Sequence, residues 1–261
     1  MLQVVHGEPN GSSLMALITL HEKGLPFESR YVDSLRPSRL DAPAEPVLEV
    51  EENLDIEGPV LIHDGAQICD AFFIIEYLDE CFADPPLKPR TPEGAWRVQV
   101  WGRFLGERVA PAVATLGVHR YLAPALRGHS AQLSDALERL AKPERREAWR
   151  TALADGFSEE ILAESRRKAG LFIERLESSL GDGRGFLVDD TYGLADIAAF
   201  SFALSLPKLV PQVCDVEIAP ATTRWLERMR ARPAVRSALS LSRSGKPDEA
   251  FAPGPEHARW G

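Results

Sequence analysis

The hydrophobic pattern changes character partway along the chain, from mixed strand and helix spacing to helix spacing alone. Leu2 to His6, centred on Val4 and Val5, reads as a short buried strand. Gly11-Ser12-Ser13 then opens a segment whose Leu14, Leu17, Ile18 and Leu20 recur at helical spacing, and Lys23-Gly24 supplies the stop. Phe27 to Val32 alternates apolar and polar, which predicts a half-buried strand. Residues 34 to 57 carry Pro37, Pro43 and Pro46 with little periodicity, so irregular chain or short helix is expected. Val60-Leu61-Ile62 and Ala66-Gln67-Ile68-Cys69 flank His63-Asp64-Gly65 and predict a hairpin turning at Asp-Gly. Asp70 precedes Ala71 to Leu78, a run too continuously apolar for a surface helix and suited to one packed on a sheet.

From Asp84 to Pro92, prolines 85, 86, 89 and 92 exclude helix and central strand, so the segment reads as an interdomain linker. Beyond it the pattern is helical. Glu93 to Leu122 predicts one long helix bent near Pro111, and Ser158 to Leu180 another, with Ile161, Leu162, Ala169, Phe172, Ile173, Leu176 and Leu180 on its apolar side. Further helices are expected at about 194 to 206 and 221 to 231, and the Pro- and Gly-rich tail from Gly245 to Gly261 as surface loop or disorder. The expected organisation is an α/β domain over 1–84, a linker over 85–92, an all-α domain over 93–244 and an irregular tail over 245–261.

With 261 residues, 44% hydrophobic and 26% charged, the chain has room for one large or two small domains and the composition of a globular protein. Asp plus Glu outnumber Lys plus Arg by 39 to 30, and a net charge of -9 repels a phosphate backbone, so nucleic acid is not an expected partner. Cys69, Cys81 and Cys214 have neither CxxC spacing nor disulfide density and read as core thiols of a reducing compartment. Met1 to Gly7 has no leader pattern, and no apolar run nears the ~20 residues that span a bilayer, so a cytoplasmic location away from membranes is expected. The histidines lack ligand spacing, so no metal is expected.

The order βαβ, irregular crossing, ββα, proline-rich linker and helical half is that of a thioredoxin-like domain followed by a helical bundle. Three local patterns make the chain resemble the glutathione S-transferase superfamily. Glu57-Gly58-Pro59-Val60-Leu61 looks like the family's loop in which a cis-proline precedes the third strand. Phe186 to Asp196 is similar to its helix-capping segment, with Gly193 at the usual Ser or Thr position, and Trp225 to Val235 looks like its closing helix. Within the superfamily, Asn10 to Leu14, Thr19 to Leu25 and Lys142 to Arg150 look most like bacterial β-etherases, which use glutathione to cleave β-aryl ethers of lignin-derived aromatics.

The resemblance implies glutathione as co-substrate, a dimer, and an aromatic small molecule as the second substrate. A thiol with a pKa near 8.5 attacks only as thiolate, so its site must favour charge. Ser13, with Ser12 beside it, lies where a hydroxyl and a helix N-terminus could both serve the sulfur, or where a serine merely caps its own helix. Gly58, Pro59 and Val60 would pair with the tripeptide backbone, and Asp70 and Ala71 would meet its γ-glutamyl end. Trp96, Trp101, Phe104, Val113, Leu116, Val118, His119 and Tyr121 would supply either a surface for the electrophile or core packing.

The chain departs from the family at several of these positions. Ala71 stands where a serine is usual, Asn53-Leu54-Asp55-Ile56 replaces Asn-Pro-x-Gly, and no Lys or Arg occurs between Arg39 and Lys88, while Asp41, Glu45, Glu49, Glu51, Glu52, Asp55 and Glu57 crowd the crossing. These features leave two readings. In one the chain is the degenerate, structural subunit of a β-etherase-like heterodimer; in the other it is an active homodimeric transferase of β-etherase or general detoxifying type.

Overall fold

Four strands, β1 (Leu2–His6), β2 (Phe27–Tyr31), β3 (Val60–His63) and β4 (Ala66–Cys69), form one sheet in the order β2-β1-β3-β4 in a computed structural model that describes residues 1–33, 58–139, 143–154 and 156–249. The crossing at 34–57, with its acidic residues, Arg36, Arg39 and the Asn53–Ile56 loop, lies outside the described residues, as do Lys142 and the tail beyond 249. β1 is parallel to β2 and antiparallel to β3, which pairs antiparallel with β4. A parallel pair needs a crossover, and α1 (Gly11–Glu22) provides it. α2 (Ala71–Cys81) leaves the far end of the hairpin. β2 is less buried than its alternation predicts: Phe27 and Tyr31 are half-buried and the residues between them exposed, as suits a strand at the sheet edge.

The helical half begins with α3 (Pro92–Phe104), α4 (Ala110–Gly117) and α5 (Ala123–Arg127), joined without a break by π turns at Leu105–Val109 and Val118–Leu122. The expected single bend at Pro111 is therefore two wide turns, each followed by Ala-Pro. Proline has no N–H and its ring collides with the carbonyl four residues back. Widening the preceding turn relieves that collision: Ala110 N–H donates to Leu105 and Ala123 N–H to Val118, each five residues back. α6 (Ser130–Arg139), α7 (Pro143–Leu153), α8 (Glu159–Leu180), α9 (Leu194–Ala203), α10 (Leu206–Leu209), α11 (Pro220–Ala231) and α12 (Pro233–Leu239) complete the set, and Pro247–Glu249 is a single tight turn within the expected irregular tail.

α1 is buried from Gly11 to Leu20 because it lies between α2 of its own layer and α9 and α12 of the helical half. One hydrophobic core therefore runs through both halves, from Val4 and Leu17 to Phe172, Phe200 and Trp225. A smaller core under α5, α6 and α7 centres on fully buried Trp149. The proline-rich linker is fastened on both sides. Lys23 Nζ enters a buried contact with Asp79 at 2.5 Å and donates to the carbonyls of Phe82 and Pro85, while Asp79 also accepts from Leu87 N–H at 2.8 Å. Only Cys214 of the three thiols is a core residue; Cys69 is half-buried and Cys81 exposed, because each ends an element at the surface. Among the described residues no helix is long and apolar enough to cross a membrane, and no group of three His, Cys, Asp or Glu side chains could hold a metal ion.

Candidate functional site

Three positions lie in one row across the sheet: Val5 of β1 faces Val60 of β3, and Val60 faces Cys69 of β4. β1 and β4 both leave the sheet at this end, and each runs into a helix N-terminus, α1 at Gly11 and α2 at Ala71. The chain enters β3 at the same end through Gly58-Pro59. Ser12, Ser13, Gly58, Pro59, Val60, Asp70 and Ala71 are thus brought to one edge of the sheet. Two helix N-termini there present backbone N–H groups without intrahelical partners, and both dipoles favour negative charge.

Asn10, not a serine, is the N-cap of α1, so Ser12 and Ser13 are the second and third residues of the helix. The Asn10 amide turns away from its own first turn and donates to Ser205 Oγ at 3.1 Å and to the Pro247 carbonyl at 2.5 Å. Ser13 Oγ accepts from Gly7 N–H at 3.1 Å, which leaves its proton to donate elsewhere. Both serines are buried, Ser13 at 1% and Ser12 at 7% exposure, so bulk water competes little for a partner of either.

Glu8 has a role that sequence reasoning missed. It is completely buried. Its carboxylate accepts from Tyr31 OH at 2.5 Å, from the hydroxyls of Ser242 at 2.6 Å and Ser244 at 3.0 Å, and from the N–H groups of Arg243 and Ser244, both at 2.9 Å. Burial pushes this carboxyl up, but the hydroxyl and N–H donors outweigh burial and hold it below the ordinary carboxylate range. Burial and the Glu8 carboxylate keep the Tyr31 hydroxyl protonated far above its usual value, so Tyr31 is no acid at neutral pH. The segment from Ser242 to Glu249 is strapped across the β1–α1 turn, and Lys208 holds its end through Asp248 at 2.8 Å and Glu249 at 2.7 Å. The polar run Glu8-Pro9-Asn10 was the available signal; the strap partners of Glu8, 234 to 236 residues away, left no local trace.

Asp70 is the N-cap of α2, and its Oδ1 accepts from Phe72 N–H at 2.8 Å. Its backbone, at φ 66° and ψ 124°, is a conformation that costs a residue with a side chain about 1–3 kcal/mol and persists only where surroundings impose it, commonly at functional sites. Ala71 is buried in the main core, so its methyl group contributes packing and no donor. Burial, and then the Asp70 charge, push the Cys69 thiol up, which keeps it protonated and unreactive.

The expectation of a cis bond before Pro59 is corrected: the cis X–Pro bond among the described residues is Asp84–Pro85, and Gly58–Pro59 is trans. A trans bond is the lower-energy form unless the fold forces the other. Among the described residues no contact forces the cis form: the space beside Gly58 is open and pairing with Val5 and Cys69 fixes the chain only from Val60 onward.

The aromatic supply of the first long helix is dispersed. Trp96 is 60% exposed, while Trp101 and Phe104 meet edge to face at 6.1 Å and the Arg175 guanidinium sits in the angle between them at 4.4 and 4.3 Å. Val113 and Val118 are core residues. Leu116 and His119 line a separate cleft, and Tyr121 is half-buried beside Arg120.

The model of the glutathione S-transferase N-terminal domain matches residues 15–86, beginning just after Ser12 and Ser13, and that of the C-terminal domain matches residues 129–233. The chain belongs to the glutathione S-transferase family. It is 32% identical over 246 residues to the protein LigF of Sphingobium sp., covering 90% of this chain and 91% of that one. The crystal structure of beta-etherase LigF from the same strain superposes with a TM-score of 0.79 at 30% identity, over 92% of this chain and 99% of that one. Glutathione S-transferase U25 of Arabidopsis thaliana is 26% identical over 195 residues, 74% of this chain and 67% of that one.

Proposed function

We propose that this chain is a glutathione-dependent transferase of β-etherase type, acting on an aromatic β-aryl ether, with Ser13 assisting the thiolate and Gly58, Val60, Asp70 and Ala71 lining the tripeptide. The observation that carries this reading is the row Val5, Val60, Cys69, which sets two helix N-termini and the start of β3 at one point. Its chemistry suits an anionic peptide. First-turn N–H groups of α1 and α2 meet negative charge, the edge around Val60 offers backbone pairing, and the Asp70 oxygen not used in capping meets an ammonium. The similarity to the beta-etherase LigF, over nine-tenths of both chains, supports the ether as second substrate.

When bound, glutathione would supply the thiolate that forms a C–S bond to the β-carbon as the bond from that carbon to the ether oxygen breaks, the aryl group leaving with the oxygen as a phenolate. The work of this chain is electrostatic. With one lone pair of its oxygen engaged by Gly7 N–H, the Ser13 hydroxyl donates toward sulfur, and the α1 N-terminus lowers the cost of the charge. A hydrogen bond to a charged group is worth about 1.5–3 kcal/mol, so this one donor accounts for roughly one to two pKa units of thiol acidification.

A second reading, a structural subunit paired with a catalytic paralogue, is favoured by Ala71, which removes a hydroxyl from the γ-glutamyl end, and by the near-complete burial of Ser13. Titration calorimetry of the purified chain with glutathione separates the two. Saturable heat at millimolar glutathione supports the enzyme. Absence of binding, together with a stable complex with a second glutathione transferase chain from the native cell, supports the structural subunit.

A further inference from the structure

We infer that Glu8 is a positioning residue for the reaction: it clamps the β1–α1 turn to the strap from Ser242 to Glu249, and so holds Gly7 where its N–H fixes the Ser13 hydroxyl. This role rests on the reading of Ser13 as the donor to glutathione sulfur, and names what aims that donor.

Between β1 and α1 stand only Gly7, Glu8, Pro9 and Asn10. Two grips hold this turn. On the strand side, His6 Nδ1 donates to the Gly7 carbonyl at 2.6 Å, and His6 Nε2 meets Ser29 Oγ of β2 at 2.7 Å. On the helix side, the Glu8 carbonyl accepts from Asn10 N–H at 2.7 Å, and its carboxylate accepts from Tyr31 OH and four donors of the strap. The helix does not set the turn by itself, because the Asn10 side chain makes no bond to its own first turn and is drawn to Ser205 and Pro247. The strap is anchored in its own right. Lys208 holds Asp248 and Glu249, and the Arg243 guanidinium lies 4.3 Å from the centre of the Tyr31 ring.

A buried carboxylate is an expensive closure for a turn, since an apolar side chain of similar size would pack without desolvating a charge. What the carboxylate adds is direction. Donors from two separate segments, β2 and the strap, engage both its oxygens, so the turn is held in one position. A hydrogen bond weakens steeply as its angle opens, so a hydroxyl aimed through Gly7 loses much of its effect on sulfur once the turn relaxes.

Two replacements of Glu8 remove the same charge and differ in grip. In Glu8→Gln the amide oxygen can take the place of Oε1, facing Tyr31 OH and the N–H groups of Arg243 and Ser244, while the NH2 faces the hydroxyls of Ser242 and Ser244, which rotate to accept. Glu8→Ala keeps none of these bonds. With the full chain and glutathione, ultraviolet absorbance of the thiolate against pH should place the bound thiol about one pKa unit higher in Glu8→Ala than in Glu8→Gln. Glutathione affinity, measured by calorimetry at a pH where the bound thiol is protonated, should be the same in both. In a Ser13→Ala background the difference should vanish, because the donor that Glu8 aims is gone. Ser242→Ala combined with Ser244→Ala, which withdraws strap donors and leaves Glu8 in place, should shift the thiol in the same direction, and decides the matter if Glu8→Ala does not fold.

Equal thiol values in Glu8→Ala and Glu8→Gln, a difference that persists without the Ser13 hydroxyl, or an unmoved thiol in the double serine variant would each overturn the role of Glu8 and leave the glutathione reading standing. A parent chain that binds no glutathione overturns that reading, and this role with it.

Discussion

Ser13 Oγ accepts a hydrogen bond from Gly7 N–H at 3.1 Å, which ties the third residue of α1 to the turn that precedes it. The bond locks the hydroxyl oxygen and frees its proton, so the serine is set to donate. Ser13→Ala should raise the pKa of bound glutathione by about one to two units and lower turnover roughly ten- to hundredfold, with little change in glutathione affinity. The ultraviolet absorbance of the bound thiolate against pH measures this directly. An unchanged thiolate pKa would mean that the helix N-terminus suffices.

Ala71 carries a backbone N–H at the start of α2 but no hydroxyl. Ala71→Ser should tighten glutathione binding by about ten- to hundredfold, the value of ~1.5–3 kcal/mol for a hydrogen bond to a charged group. Calorimetry on both chains measures it. Equal affinities would place the limit on binding elsewhere, away from the γ-glutamyl end.

Gly193 meets the linker so closely that a Cβ there would collide with the Leu87 carbonyl oxygen, while Leu194 N–H donates to that same oxygen at 2.9 Å. A glycine at this cap thus lets the linker dock on the start of α9. Gly193→Ser, which restores the residue usual in the family, should destabilise the chain by about 1–3 kcal/mol through forced displacement of backbone. Urea unfolding of the two chains provides the comparison, and a serine variant as stable as the parent would refute the close-approach explanation.

Lys23 and Asp79 form a buried ion pair whose remaining bonds hold the linker at Phe82, Pro85 and Leu87. Lys23→Met leaves the Asp79 charge uncompensated and should cost about 3–5 kcal/mol, far more than an exposed pair. The double variant Lys23→Met with Asp79→Leu should recover part of that loss. Thermal unfolding of the single and double variants tests this, and additive losses would show that the pair is not coupled.

Asp196 is fully buried and accepts from Leu187 N–H, Gly193 N–H and Trp225 Nε1. Burial outweighs those donors and pushes its carboxyl up from 3.8 to about 7. A group that holds its proton more tightly when folded contributes stability fully below its unfolded pKa, and that contribution fades as pH rises through the folded value. The stability contributed by Asp196 should therefore decline between about pH 4 and about pH 7. Asp196→Asn should be less stable throughout, because one amide oxygen cannot serve three donors, and should lack this component of the pH dependence. Parallel pH profiles for parent and variant would contradict the assignment.

Local pattern made the thioredoxin-like half readable. β1, the start of α1, the Asp-Gly hairpin and the Asp70 cap are each written in residues a few positions apart, and the row Val5, Val60, Cys69 follows once those strands pair. The two π turns are not legible locally, because proline announces a break without saying how the helix absorbs it; the repeated Ala110-Pro111 and Ala123-Pro124 is their trace in the sequence. α6 and α7 were not delimited, since their small core around Trp149 draws on residues from Val118 to Leu153.

By itself the sequence determined the element order of the thioredoxin-like half, the glutathione transferase family and the residue types available at the sheet end, because periodicity, caps and turns act over a few residues. Tertiary structure alone decided that Asn10 caps α1 while its amide serves Ser205 and Pro247, that Glu8 binds the strap 234 residues downstream, and that Gly58–Pro59 is trans. Those outcomes depend on which buried donors and acceptors meet across the core, and a buried polar group must find its partner wherever the fold brings one.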